Sequence, residues 1–155
     1  MPKMINNMND LQKALMPVMT KMVDVMAERV YRTLNYFLDE YYKGWTPDSY
    51  RRTFDFLRSA VKVDAEPYRN GVRASVYIDC DAMDDYVNAS GFQVAEWADN
   101  GLHGGLEVNH KPHVWKDTMD KTINNGSLLD MAVQYLRSQG IAVQVKSVQG
   151  GENGE

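Results

Sequence analysis

Residues 60–78 read A-V-K-V-D-A-E-P-Y-R-N-G-V-R-A-S-V-Y-I, and they contain the clearest hairpin pattern in the sequence. Apolar residues alternate with polar ones from Val61 to Ala65, and they do so again from Val72 to Ile78. A period of two is typical of half-buried β-strands. Between the two runs, Arg-Asn-Gly at 69–71 indicates a turn, because Asn and Gly tolerate a positive φ. The stretch therefore predicts an antiparallel hairpin.

A long helix is predicted before the hairpin. From about Asn9 to Lys43, apolar residues recur mostly at three- and four-residue steps. Pro17 lies inside this pattern and should either start the main helix or kink a longer one. From Pro17 to Lys43 the helix would be about 40 Å long. Two interpretations are equally favoured: the helix overhangs and packs against another chain, or it lies across the sheet of its own chain. The stripe consists of Leu11, Leu15, Met19, Met22, Met26, Val30, Thr33, Phe37 and Tyr41.

Shorter elements are predicted on either side of the hairpin. Residues 44–48 should break the long helix, and a short helical turn should follow from Asp48 to Ser59. Asp79 to Tyr86 is expected to be an acidic loop. Residues Gln93 to Asn100 predict either a short helix, ended by Gly101, or a third strand.

The last third of the chain predicts two helices and a strand. Val114 to Ile123 should be helical. Ser127, with Asp130 in the capping-box position, should cap an amphipathic helix that ends at Gln139 before Gly140. A final strand is predicted from an alternating apolar set, which consists of Ile141, Val143, Val145 and Val148.

Together these elements predict an α+β fold, with a long N-terminal helix packed on a small, mostly antiparallel sheet and a C-terminal amphipathic helix. We expect a single domain over residues 1–149 and a disordered tail at 150–155.

Composition narrows the classes of function. The net charge is −4, which is too acidic for a dedicated nucleic-acid-binding protein. The charge is uneven: residues 1–62 carry ten basic and seven acidic groups, whereas residues 63–155 carry seven and fourteen. Cys80 is the single cysteine, which excludes an internal disulfide. Neither a signal-peptide pattern nor an apolar run of about 18 residues occurs, so we expect no contact with a membrane.

All three histidines and two of the three tryptophans lie between Gly91 and Trp115. A cluster of His103, His110 and His113 would suit a metal ion, and a small metal-dependent hydrolase is the alternative interpretation of this chain. Pro112, however, keeps His110 and His113 off one helical face, and no HExxH pattern is present. The other interpretation of the same stretch is a glycine-shaped docking surface.

Two stretches resemble a known group of proteins. Residues 41–53, Y-Y-K-G-W-T-P-D-S-Y-R-R-T, resemble the Y-Y-x-x-[YW]-x-P-x-x-Y-x-R-T pattern of small minor structural proteins of long-tailed phages and prophages of Gram-positive bacteria. Residues 94–105, V-A-E-W-A-D-N-G-L-H-G-G, resemble their second shared stretch, which ends in G-x-H-G-G. The resemblance covers roughly residues 20–140. The chain lacks the E-x-G-T step that commoner relatives carry before this loop.

The resemblance implies a virion protein of the neck or tail-completion type, which is α+β and has no catalytic residues. Such a protein assembles with itself as a ring, expected to be a hexamer, between the head-tail connector proteins and the tail tube protein. DNA would pass through the ring only as cargo, and no cofactor or metal is expected. The residues that we predict for interfaces are Trp45, Tyr50, Trp97, Leu102, His103 and Trp115.

Overall fold

The computed structural model describes residues 5–44, 54–83, 89–103, 106–107 and 113–146. It confirms the α+β class, with a long first helix, an antiparallel hairpin and helices at the C-terminal end. Two 3-10 turns lie at Phe56–Arg58 and Asp81–Met83. The helices and strands are α1 (Met8–Gly44), β1 (Ala60–Tyr68), β2 (Gly71–Ile78), α2 (Gly91–Asp99), β3 (Leu102–His103), β4 (Leu106–Glu107), α3 (Val114–Thr122) and α4 (Ser127–Ser138).

Helix α1 is the element against which most of the fold packs. It has 37 residues and is therefore about 55 Å long at 1.5 Å per residue. Pro17 lies inside it, and the helix continues on both sides of this residue. The core gathers at its C-terminal half, where side chains from most other elements meet it. The buried core cluster consists of Leu34, Leu38, Tyr41, Phe56, Ala60, Met83, Ala98 and Val114.

The hairpin lies along α1, with its base near the C-terminal half of the helix and its tip near the N-terminal end. At its base, Ala60 is buried in the core cluster. Near its middle, the backbone N–H of Ala65 donates to the carboxylate of Asp24 over 3.2 Å. At its tip, the amide of Gln12 donates to the backbone carbonyl of Asn70 over 3.3 Å. This arrangement uses the length of α1 within its own chain, as the second interpretation of the helix predicted.

The hairpin turn is where the sequence predicted it, but its left-handed residue differs. Tyr68 pairs with Gly71, so the loop consists of Arg69 and Asn70 alone. Arg69 has a φ of 53°, whereas Gly71 is already the first residue of β2. The expectation of a positive φ at Asn-Gly was therefore wrong, because strand pairing reaches one residue further than the turn pattern suggests.

The two faces of the hairpin differ from what simple alternation suggests. Lys62 is largely covered, and its Nζ lies 3.0 Å from the carboxylate of Asp24 on α1. On the opposite face, Val63 is 44% exposed and Tyr77 is 45% exposed. The pairing of Lys62 with Val76, which is partly buried in the core, places both on the α1 side of the sheet. Charge pairing, and not only apolar burial, thus sets which face of β1 meets the helix.

Helix α3 packs on α1 through one fully buried stripe. Val114, Thr118 and Thr122 lie four residues apart and therefore share a face. The hydroxyl of each threonine donates to the carbonyl four residues earlier, over 2.8 Å for Thr118 and 2.6 Å for Thr122. The polar atoms on this buried face are thus satisfied within the helix itself.

Two predictions at the C-terminal end were wrong. Ser127 is the first helical residue of α4 and not its cap; Gly126, with a φ of 78°, holds the cap position. The Ser127 hydroxyl instead donates to the carbonyl of Thr122 over 2.9 Å, which ties α4 to α3. Residues 141–146 form no strand, although they follow α4 directly. Val148 and the predicted tail at 150–155 lie outside the described residues.

Candidate assembly surfaces

The glycine- and histidine-rich loop is closed at its base. The backbone N–H of His113 donates to the carbonyl of Asp99 over 3.3 Å. The carboxylate of Asp99 accepts hydrogen bonds from the backbone N–H groups of Val114 and Trp115. His113 has a φ of 43° and caps nothing with its own side chain, so Asp99 supplies the cap of α3 from the end of α2.

Burial raises the pKa of the Asp99 carboxyl, because the partly buried site disfavours its charged form. The two backbone N–H groups and the nearby His113 act in the opposite direction, since each favours the charged form. Burial thus favours the neutral form of the Asp99 carboxyl, whereas the hydrogen bonds that it accepts favour the ionised form.

Helix α2 is positioned by a capping box and by a close approach of two backbones. Ser90 accepts from the backbone N–H of Gln93 over 3.3 Å, and the Gln93 side chain accepts from the backbone N–H of Ser90 over 3.0 Å. A Cβ on Gly91 would lie 1.6 Å from the carbonyl oxygen of Cys80, so only glycine fits there. Of the two predictions for this stretch, the helix is confirmed and the strand was wrong.

The two tryptophans of this stretch are both partly exposed, on either side of the loop base. Trp97 on α2 is 40% exposed and Trp115 at the start of α3 is 39% exposed. Phe92, on the first turn of α2, is 66% exposed. Large aromatic side chains in partial contact with water are typical of surfaces that bind other proteins.

The other predicted interface residues are less well described. Leu102 and His103 form β3, in which His103 pairs with Leu106 of β4. Their backbone is described, but their side chains are not. Trp45 and Tyr50 lie outside the described residues.

The predicted histidine cluster is only partly described. His113 is half-buried at the start of α3, while His110 lies outside the described residues. Among the residues that the structure describes, no group of three or more His, Cys, Asp or Glu side chains could hold a metal ion.

A second apolar surface, which sequence reasoning did not identify, lies along the hairpin. Its outer face carries Val63, Tyr68 and Tyr77, all exposed. Arg73 stacks over the Tyr68 ring at 4.0 Å from the centroid. Alternation of apolar residues indicated the strands but not which set faces water.

Beside the hairpin tip, an apolar groove of about 320 Å³ opens between α1 and the start of β2. Gly71 and Val72 line it from the strand side. The signal in the sequence was the abundance of methionine in the first 22 residues. From the helix, the groove is lined by Met8, Leu11, Gln12, Leu15, Met16 and Met19.

The fold and these surfaces define a small α+β protein that presents apolar and aromatic side chains around a single long helix. In the part of the chain that the structure describes, no helix is long and apolar enough to span a membrane. The chain belongs to the YomN family, whose family model matches residues 7–138, from the start of α1 to the end of α4. That family is associated with phages and prophages, and this is a phage-related protein. No curated protein and no solved structure matches the chain.

Proposed function

We propose that this protein is a structural, non-enzymatic virion protein of a tailed phage, and that it forms a ring in the neck. The ring, expected to be a hexamer, would join the head-tail connector to the tail tube and complete the tail. The observation that carries the proposal is the pair of partly exposed tryptophans at the base of a closed loop, in a chain of a phage-associated family.

The loop between α2 and α3 is suited to docking because its ends are held. Hydrogen bonds from His113 and Trp115 converge on Asp99 and tie the start of α3 to the end of α2. A binding surface whose flanking residues are already ordered loses less entropy on association. Trp97 and Trp115 are the side chains that we expect to anchor a neighbouring subunit or the tail tube protein.

The uneven charge gives the ring a further role. The acidic half of the chain, residues 63–155, would line the channel, where like charge keeps DNA from binding during its passage. A ring whose channel is lined by basic side chains would contradict this part of the proposal alone.

The test is a phage in which the gene is deleted. We expect full heads and separate tails by electron microscopy, and rescue by the wild-type protein supplied from a plasmid. Mass spectrometry of purified virions should find the protein at a few copies per particle. A deletion phage that makes complete, infectious particles would contradict the proposal. So would stoichiometric zinc in the purified protein together with a hydrolytic activity that His110→Ala abolishes.

A further inference from the structure

The two edges of the hairpin are protected to very different degrees. Strand β1 has a bulge between Val63 and Glu66, where the pairing with β2 shifts by one residue. It also carries Pro67, which has no N–H to offer. At the bulge, the N–H of Ala65 is already bonded to the carboxylate of Asp24. Bulges, prolines and covering side chains are the devices by which proteins prevent an edge strand from pairing with another chain.

In the described part of the chain, strand β2 has none of these protections. Its eight residues, Gly71–Ile78, contain no proline, and the irregularity of the ladder lies in β1. Within the described residues, β2 pairs with β1 alone, so its outer edge presents unpaired backbone groups.

The apolar groove adjoins the start of this strand. Gly71 and Val72 of β2 line it, and no residue of β1 does. A strand added to β2 near its first residues would therefore place alternate side chains over the methionines and leucines of α1. Methionine adapts its shape to different partners, which suits such a surface.

The chain itself contains a segment with the required pattern. Residues 141–146, I-A-V-Q-V-K, place a large apolar side chain at every second position; Ile141 and Val143 are partly buried and Val145 is exposed. The segment forms no strand, although its composition favours one. Six residues of strand span about 20 Å, which fits within the roughly 26 Å of an eight-residue edge.

We propose that residues 141–146 of a second copy of this chain pair with the outer edge of β2. Ile141, Val143 and Val145 then face the groove on α1, while the backbone of the segment satisfies the edge of the sheet. Each copy both donates and accepts a strand, so the contact repeats from subunit to subunit. The inference rests on the proposed function only in expecting that repetition to close as a ring.

The first test is the mass of the purified protein in solution, measured by light scattering over a range of concentrations. We expect the wild-type chain to exceed its monomer mass of 17.7 kDa. Val143→Asp with Val145→Asp should weaken self-association at least tenfold, because charge would enter the groove. Ala142→Asp with Gln144→Asp adds the same charge on the other face and should change it far less. Thermal unfolding of both variants checks that the monomer remains folded.

The second test identifies the edge and does not depend on the folding of the charged variants. Two copies of different mass are mixed in a Cys80→Ser background, one of them carrying Gln144→Cys. The other carries one cysteine on the outer face of β2, at Arg73, Ser75 or Tyr77. We expect a mixed disulfide at one of these three positions and none when the cysteine replaces Val63 on β1.

Three results would overturn the inference: a monomeric wild-type chain at all concentrations, a disulfide that forms within one chain, or a disulfide to Val63 only. These results are independent of the proposed neck function, which is tested by the presence of the protein in virions. A virion protein whose ring persists with both valines replaced would leave the function standing and remove this contact.

Discussion

The carboxylate of Asp99 accepts a hydrogen bond from the backbone N–H of Trp115, on the far side of the glycine- and histidine-rich loop. The same carboxylate accepts a second bond from Val114, and together the two cap α3. A helix whose preceding residue, His113, has a left-handed backbone and makes no cap of its own thus obtains one from the neighbouring helix.

Replacing Asp99 with alanine should lower the free energy of unfolding by about 1 kcal/mol, the usual cost of losing a cap. Asp99→Asn should cost less, because its amide oxygen still accepts. The raised pKa of Asp99 means that the ionised carboxyl opposes folding once the pH exceeds its ordinary value, an effect complete above the raised one. Asparagine removes this cost at neutral pH. Denaturant unfolding of both variants is the measurement, and equal losses would contradict the cap.

Gly91→Ala should destabilise the protein by about 3 kcal/mol or more, because the new Cβ would collide with backbone and not with a movable side chain. Gly71→Ala is the matched control. A Cβ at Gly71 meets nothing within 4 Å, so its effect should stay within about 0.5 kcal/mol. If the unfolding midpoints of the two variants shift equally, α2 is able to move away from Cys80.

Trp97→Ala and Trp115→Ala should each reduce the yield of complete particles at least tenfold in the complementation assay of the deletion phage. Tyr36→Ala removes an exposed aromatic side chain from α1 and should leave the yield within about twofold. Thermal unfolding of the purified variants separates loss of folding from loss of docking. If the tryptophan variants fold and still give normal particle yields, the loop is not part of the interface.

Acid should weaken the attachment of the hairpin to α1. The hydrogen bond from Lys62 and that from the Ala65 N–H lower the pKa of Asp24. A carboxyl with a lowered pKa stabilises the folded state above its ordinary pKa of about 4, and this contribution is lost as the pH falls through the lowered value. Asp24→Asn should therefore flatten the fall in stability below pH 4. Glu96→Gln, which removes an exposed carboxylate from α2, is the control. If stability falls equally steeply below pH 4 in the wild-type protein and in Asp24→Asn, the stabilising role of the Asp24 carboxylate is contradicted.

Regular elements were predictable because local pattern determined them. The stripe of α1 and the alternation in the hairpin each follow from spacing within one segment, whereas the spacing at residues 93–100 left a helix and a strand both open. The same reasoning did not find Asp99 as the cap of α3, because the acceptor and its donors lie on opposite sides of a long loop. It also assigned a cap to Ser127, whose hydroxyl bonds instead to Thr122 in the preceding helix.

The candidate surfaces were predictable in part. Trp97 and Trp115 were identified from their position in a glycine-rich stretch, and the structure places both partly in water. The difference between the two hairpin edges was not predicted. Nothing in β1 alone indicates that Ala65 bonds to Asp24, which lies far away in sequence. The strand expected from Ile141 to Val148 was wrong over its described residues, 141–146, although its pattern remains the basis of the proposed pairing.

Lys62 lies beneath the sheet among Asp24, Asp64 and Glu28, where its Nζ is 3.0, 3.0 and 3.7 Å from their carboxylates. A slip of β1 by one residue would bring a valine to that place and turn the lysine outward. Apolar burial alone would favour the slipped strand, so the carboxylates discriminate between two nearly equivalent hairpins. The observed register leaves Val63 44% exposed, and this apolar surface would be buried in the slipped strand. Salt screens the charges around Lys62 and also strengthens apolar contacts, so it affects both of the interactions that decide between the two registers.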